Sequence, residues 1–192
     1  MILTGLVLAA GGSRRLGRPK QLLPFGTATL LDHTVATARG CAFDQLLVAI
    51  GGAAGEVRAQ VDLSGADVVV NDDYGEGCSS SIAAALEVVR GDVLVLMLGD
   101  QPGVTVETVV TLLEGRGDAA LAVCRYDDGR GHPIAFSRDV FDQLADLHGD
   151  KGVWKMLDRG PVTEVRVPGA IPLDVDTEDD YAAVLGPNKS GP

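Results

Sequence analysis

Cysteine is scarce in this chain. Cys41, Cys78 and Cys124 are widely spaced, odd in number and form no CxxC pair, which argues against a disulfide framework and against a cysteine zinc site. Long apolar runs are missing as well. The N-terminal one is too short to span a bilayer and no basic residue precedes it, so it reads as a buried strand and not as a signal peptide. Positive charge is outnumbered, with 16 Lys and Arg against 27 Asp and Glu and a net charge of −11. Nonspecific attraction to nucleic acid or to an anionic membrane is disfavoured on long-range electrostatic grounds. The expectation is a cytoplasmic protein with neither as a partner. No repeat, linker or low-complexity segment divides the 192 residues, whose 46% apolar content suffices for one domain with a complete core. Residues 1–186 are expected to form that domain and 187–192 a flexible tail.

What is present is a rhythm. Short runs rich in Val, Leu and Ile recur at Thr4–Ala9, Gln45–Ile50, Asp67–Asn71, Asp92–Leu98 and Ala119–Cys124. Helical spacing fills Leu30–Gly40, Ala54–Leu63, Ser79–Arg90 and Thr105–Glu114 between them. Continuous apolar runs suit strands covered on both faces, so the pattern predicts a three-layer α/β fold of Rossmann-like type with a mainly parallel central sheet. After Cys124 the rhythm changes: a strand at Pro133–Phe136, helices at Arg138–Leu147 and Lys151–Asp158, strands at Val162–Val167 and Leu173–Val175, and a terminal helix capped by Thr177.

The basic residues gather in one place. Leu8 to Gly26 reads LAAGGSRRLGRPKQLLPFG, where Arg14, Arg15, Arg18 and Lys20 put four of the 16 basic residues within seven positions, directly behind the first strand. Glycine lets a ligand approach the backbone, free N–H groups attract anions, and Arg and Lys add fixed charge. Those properties describe a phosphate cradle. It is not a P-loop: Gly12 and Gly17 have the spacing, but Arg18 and Pro19 stand where Lys and Ser or Thr are required. Nor is it a dinucleotide site, because GxGxxG is absent and the second apolar run stops at Gly51 and Gly52 without a ribose-binding acid.

A phosphate-transfer site also needs oxygen ligands for a cation such as Mg²⁺. LVLMLGDQP places Asp100 just past the carboxyl end of a strand, where open α/β sheets bind ligands. In LDVDTEDD, Asp174 and Asp176 share a face if the segment is extended. NDDYGEGCSSS, which begins at Asn71, offers glycines and hydroxyls suited to a base or ribose.

Taken in order, these motifs resemble the molybdenum cofactor nucleotidyltransferases, the MobA-like family, through LAAG, the basic segment, and Pro19, Lys20, Gln21 and Leu22. The resemblance implies that Leu8, Ala9, Ala10, Gly11, Gly12, Ser13 and Gly99 contact a nucleotide while Arg14 and Lys20 engage its phosphates. It implies Asp100 and Asp176 as the Mg²⁺ carboxylates, with Arg14, Lys20 and Asp100 catalytic. Asn71, Ser79 and Ser80 would line the base pocket. A later G-x-P-x-x-F element and G-D-x-G turn imply acceptor contacts at Gly131, His132, Pro133, Asp150 and Lys151. The expected substrates are CTP, or another nucleoside triphosphate, and a phosphorylated pterin, with a molybdoenzyme or chaperone partner receiving the product. LAAG rather than LAGG favours cytidylyl over guanylyl transfer. Transfer to a sugar phosphate or another small acceptor, and a nucleotide-binding module without chemistry, remain alternatives.

Overall fold

The computed structural model describes residues 1–186; the tail expected at 187–192 lies outside the described residues. Successive side chains of a strand face opposite sides, and in the central strands both sides are buried. Leu3–Ala9 (β1) sends Val7 and Ala9 into one core and Leu6 into the other. The chain continues through a two-stranded ribbon, Pro24–Phe25 (β2) and Ala28–Thr29 (β3), into helix Leu30–Gly40 (α1). Thr29 and Asp32 form a capping box there, which fixes where α1 begins.

Gln45–Ile50 (β4), Ala54–Gln60 (α2), Asp67–Val70 (β5), Cys78–Leu86 (α3), Val93–Leu98 (β6), Val106–Arg116 (α4) and Leu121–Arg125 (β7) follow. Then come Arg130–Ser137 (β8), Phe141–Ala145 (α5), Gly152–Arg159 (α6), Thr163–Arg166 (β9) and Glu178–Leu185 (α7). The sheet has seven strands in the order β5-β4-β1-β6-β8-β7-β9. Only β8 runs against its neighbours β6 and β7; the other pairs are parallel. One face is covered by α1, α2 and α4 and the other by α3, α5 and α6. This is the expected three-layer α/β architecture.

Strand order reverses at β1, which has β4 on one side and β6 on the other. The carboxyl ends of β1 and β6 therefore open onto a switch-point crevice of the kind in which such sheets bind ligands. Leu173–Val175, expected as a strand, is not one. Val175 donates a single backbone hydrogen bond to the carbonyl of Asp100, 3.0 Å away, and its side chain is buried with Leu23 and Leu30. The apolar alternation there serves a small satellite cluster and no sheet ladder. Partly buried Tyr181 and Val184 of α7 join that cluster. No helix of the described residues is long and apolar enough to cross a membrane.

Candidate active site

The loop after β1 is held by one buried side chain. Gln21, 3% exposed, donates to the carbonyls of Ala9 and Gly11 at 2.7 and 2.9 Å. Ser13, in the left-handed region at φ 50, accepts from the Lys20 amide at 2.9 Å, and the Gly17 amide closes a turn onto the Ser13 carbonyl at 3.0 Å. The loop is thereby drawn over the carboxyl end of β1 while Lys20 opens a short 3₁₀ turn, Lys20–Leu22. The sequence shows Gln21 only as a member of the motif with Lys20 and no role of its own, because a glutamine beside a lysine carries no periodicity or charge signal.

Lys20 is the centre of the charge. Its ammonium donates to both Asp100 and Asp176, the latter at 2.8 Å, with the Lys20 and Asp100 side chains only 14% and 17% exposed. Burial works against the ammonium, but Asp100 and then Asp176 outweigh it and raise the Lys20 pKa above the ordinary lysine value. The same exchange holds Asp176 below the usual carboxylate range: burial opposes its charge, and hydrogen bonds and charge from Lys20 and Arg15 prevail. Arg15 reaches Asp176 at 2.5 Å, and Arg18 reaches Glu178 at 2.9 Å. Asp174 lies at the surface beside this group. Partial desolvation of its carboxyl and the charges of Asp100 and Asp176 push its pKa up to about 6.

Asp176 owes its position to the helix that follows. Thr177 and Asp180 form a capping box at the start of α7, and the Asp176 amide donates to the Asp180 carboxylate at 3.2 Å. Thr177→Ala is expected to cost about 1 kcal/mol of stability, as lost N-caps do. It should also weaken divalent-cation binding by loosening Asp176. Denaturant titration and cation titration of the same variant check both; an unchanged cation affinity would detach Asp176 from its cap.

A cleft of about 400 Å³ opens here. Leu8, Ala9, Ala10, Gly11, Gly12, Ser13, Arg14, Lys20, Gly99, Asp100, Asp150 and Asp176 all line it, as do Arg15 of the basic cluster and Gln21, Tyr74 and Ser81, to which the sequence assigned no ligand contact. Asn71, Ser79 and Ser80 stand behind its wall. Asn71 donates to Ser80 Oγ and Ser81 Oγ at 2.9 and 2.8 Å. Ser80 Oγ lies 2.8 and 3.0 Å from the carbonyls of Gly77 and Asp73, and Ser79 Oγ donates to that of Gly149 at 2.6 Å. Their polar groups are thus used to fold the segment that carries Tyr74 and Ser81. Asp150 accepts from the Cys78 amide at 3.0 Å, so its carboxylate caps α3 from another part of the chain. Burial, followed by the nearby charge of Asp150, raises the Cys78 thiol and keeps it protonated at neutral pH.

Gly131, His132 and Pro133 are not in the cleft. They lie within β8 and are buried. The His132 carbonyl accepts from the Tyr126 hydroxyl at 2.7 Å, and its ring meets Trp154 edge-on at 5.4 Å. Lys151 is exposed on the turn before α6 and does not line the cleft. Burial depresses the His132 pKa from 6.5 to about 4. The native imidazole stays neutral where the unfolded one protonates, so its contribution is complete above 6.5 and is lost as pH falls toward 4. His132→Gln should escape a loss on the order of 3 kcal/mol that the wild type suffers over that interval. Denaturant titrations at a series of pH values check this, and parallel stability curves for the two proteins would contradict it.

Asp100 and Asp176 meet at one point, and two carboxylates with room for phosphate oxygens make a donor set that suits a hard divalent cation. Among the described residues no group of three or more His, Cys, Asp or Glu side chains is gathered for a metal.

Known proteins resemble this chain in sequence and fold. The crystal structure of Rv0371C in complex with manganese, from Mycobacterium tuberculosis H37Rv, superimposes with a TM-score of 0.87 at 49% identity, covering 96% of this chain and 98% of that one. Nicotine blue oxidoreductase of Paenarthrobacter nicotinovorans is 32% identical over 169 residues, covering 82% of each chain. The molybdenum cofactor cytidylyltransferase of Escherichia coli K12 is 28% identical over 179 residues, covering 92% of each. Residues 5–165 match the family described as MobA-like NTP transferase domain, and the chain belongs to that family of nucleotidyltransferases.

Proposed function

We propose that this protein is a cytidylyltransferase that joins CTP to molybdopterin, forming the cytosine dinucleotide and pyrophosphate. The observation that carries the reading is the Lys20 ammonium held between Asp100 and Asp176 at the mouth of the glycine-rich loop. A terminal phosphate oxygen of the acceptor attacks the α-phosphorus of CTP. The bond from that phosphorus to the bridging oxygen breaks, and pyrophosphate leaves with the electron pair. Lys20 and Arg14 stabilise negative charge as it develops. The loop amides orient the triphosphate, so positioning accounts for much of the rate. The attacking oxygen is already ionised, and no general base is required. Asp100 and Asp176 would hold Mg²⁺, which when bound neutralises the triphosphate. The choice of CTP rests on the LAAG loop and on the similarity to the cytidylyltransferase.

The test is pyrophosphate release from each of the four ribonucleoside triphosphates with Mg²⁺, with and without molybdopterin. Release that requires both CTP and molybdopterin is the expected result. Release with GTP alone keeps the chemistry and overturns the base. No release with any triphosphate, across phosphorylated acceptors, removes the transferase reading for this site.

A second reading is favoured by one observation, the 32% identity to nicotine blue oxidoreductase. Redox conversion of nicotine blue, followed by its absorbance in a preparation that releases no pyrophosphate, would install it instead.

A further inference from the structure

We infer that Tyr74 is the wall on which the nucleobase stacks, an inference that rests on the nucleotide reading of the cleft. Tyr74 belongs to a 3₁₀ turn, Tyr74–Glu76, just before α3. The other two tyrosines are anchored through their hydroxyls, Tyr126 to the His132 carbonyl and Tyr181 to the Pro24 carbonyl. Tyr74 is 39% exposed, and no hydrogen bond engages its hydroxyl among the described residues. Leaving an aromatic ring this open has a hydration cost that the fold could avoid, and the location gives it a use.

The ring has a built seat. A Cβ at Gly51 would come within 2.7 Å of Tyr74 Cβ, one at Gly52 within 2.9 Å of its Cε2, and one at Gly12 within 3.5 Å of the same atom. Side chains at Gly51 and Gly52 would therefore push the ring out of place. The turn is also locked from behind: Asn71 Oδ1 accepts from the Asp73 amide at 3.0 Å, and Asn71 Nδ2 and the Asp73 carbonyl both hold Ser80 Oγ. Asn71 and Ser80, which do not line the cleft, thus hold the turn that carries the ring.

Among the described residues Tyr74 is the one aromatic side chain lining the 400 Å³ cleft. The rest of the lining offers backbone amides near Gly11 and Gly12, and charge at Arg14, Lys20 and Asp100. A triphosphate belongs with the amides and the cations. The flat π-face of a base then has Tyr74 as its apolar partner. Stacking of a base on an aromatic ring contributes about 1–3 kcal/mol by truncation, which corresponds to roughly 5- to 150-fold in affinity. Because every base has such a face, Tyr74 should support nucleotide binding without choosing among bases.

Calorimetric titration with CTP, GTP and inorganic tripolyphosphate, each with Mg²⁺, tests the assignment on wild type and on Tyr74→Leu, Tyr74→Phe and Tyr74→Trp. Leucine fills the seat without a π-face. The expected result is that Tyr74→Leu weakens both nucleotides about 5- to 150-fold, leaves tripolyphosphate unchanged, and that phenylalanine or tryptophan restores binding. Nucleotide affinity unchanged in Tyr74→Leu overturns the inference while the nucleotide reading stands. Equal weakening of nucleotides and tripolyphosphate overturns it too, because the ring would then only support the loop. Wild type that binds neither nucleotides nor tripolyphosphate removes the nucleotide reading itself, and the stacking role with it.

Discussion

Lys20→Ala should lower turnover about 10²- to 10³-fold at saturating triphosphate, the range seen when one preorganised charge donor is removed from a transition state. Nucleotide affinity should fall less, because the loop amides and Arg14 remain. The variant should also show an effect in the opposite direction. Without nucleotide, the Lys20 ammonium sits against the two carboxylates proposed to bind Mg²⁺. Two like charges about 4 Å apart in a protein environment repel by several kcal/mol. Removing the ammonium should therefore tighten divalent-cation binding to the nucleotide-free protein about tenfold or more. Pyrophosphate release measures the first effect and calorimetric titration with Mg²⁺ or Mn²⁺ the second. Turnover equal to wild type would take Lys20 out of the mechanism. Lost turnover with unchanged cation affinity would mean that cations bind elsewhere than between Asp100 and Asp176.

Phe136→Ala should produce the largest loss of stability, about 3–5 kcal/mol, against a total that for a domain is about 5–15 kcal/mol. Phe136 is fully buried, and it sits near the end of β8, between Leu94 of β6 and Leu121 of β7. Its neighbours belong to the core beneath α3, α5 and α6. Truncation removes the ring's burial and leaves a hole that two paired strands resist closing. Denaturant unfolding checks the figure; a loss under 1 kcal/mol would mean that this core repacks freely. Since β6 leads directly to Asp100, part of the variant's activity should disappear at denaturant concentrations that spare the wild type.

Central strands announce themselves when both faces are buried: Gln45–Ile50 is apolar from its second residue on, and the structure places it there with the same boundaries. The basic loop stood out because arginines and a lysine crowd behind glycines in an otherwise acidic chain, and the structure places it on the cleft. Past Cys124 the reading weakened for a physical cause. β8 pairs antiparallel between β6 and β7, and a local pattern says nothing about which neighbours a strand will meet. Leu173–Val175 shows the converse, since alternation reflects burial and Val175 is buried without a sheet. In the site, Asn71, Ser79 and Ser80 have the chemistry of ligand contacts, yet Asn71 and Ser80 bond within the turn and Ser79 bonds the Gly149 carbonyl. Sequence can display a hydroxyl; only tertiary structure shows whether the fold has already used it. The pairing of Arg15 with Asp176, 161 positions apart, is equally beyond local pattern.

The ion pairs that tie the basic loop to the segment around Asp176 also set an order of events during synthesis. Lys20 leaves the ribosome 156 residues before its partner Asp176, and Arg18 160 residues before Glu178. At translation speeds of about 5–20 residues per second, the nascent loop spends several seconds or more with its cations unpaired. In that interval the strands from β1 to β6 can assemble around Asp100, but the second carboxylate does not yet exist. A growing chain can present the basic loop and Asp100 before it can present the complete pair of carboxylates proposed to hold the cation, so the proposed site is assembled only once the chain has passed Asp176.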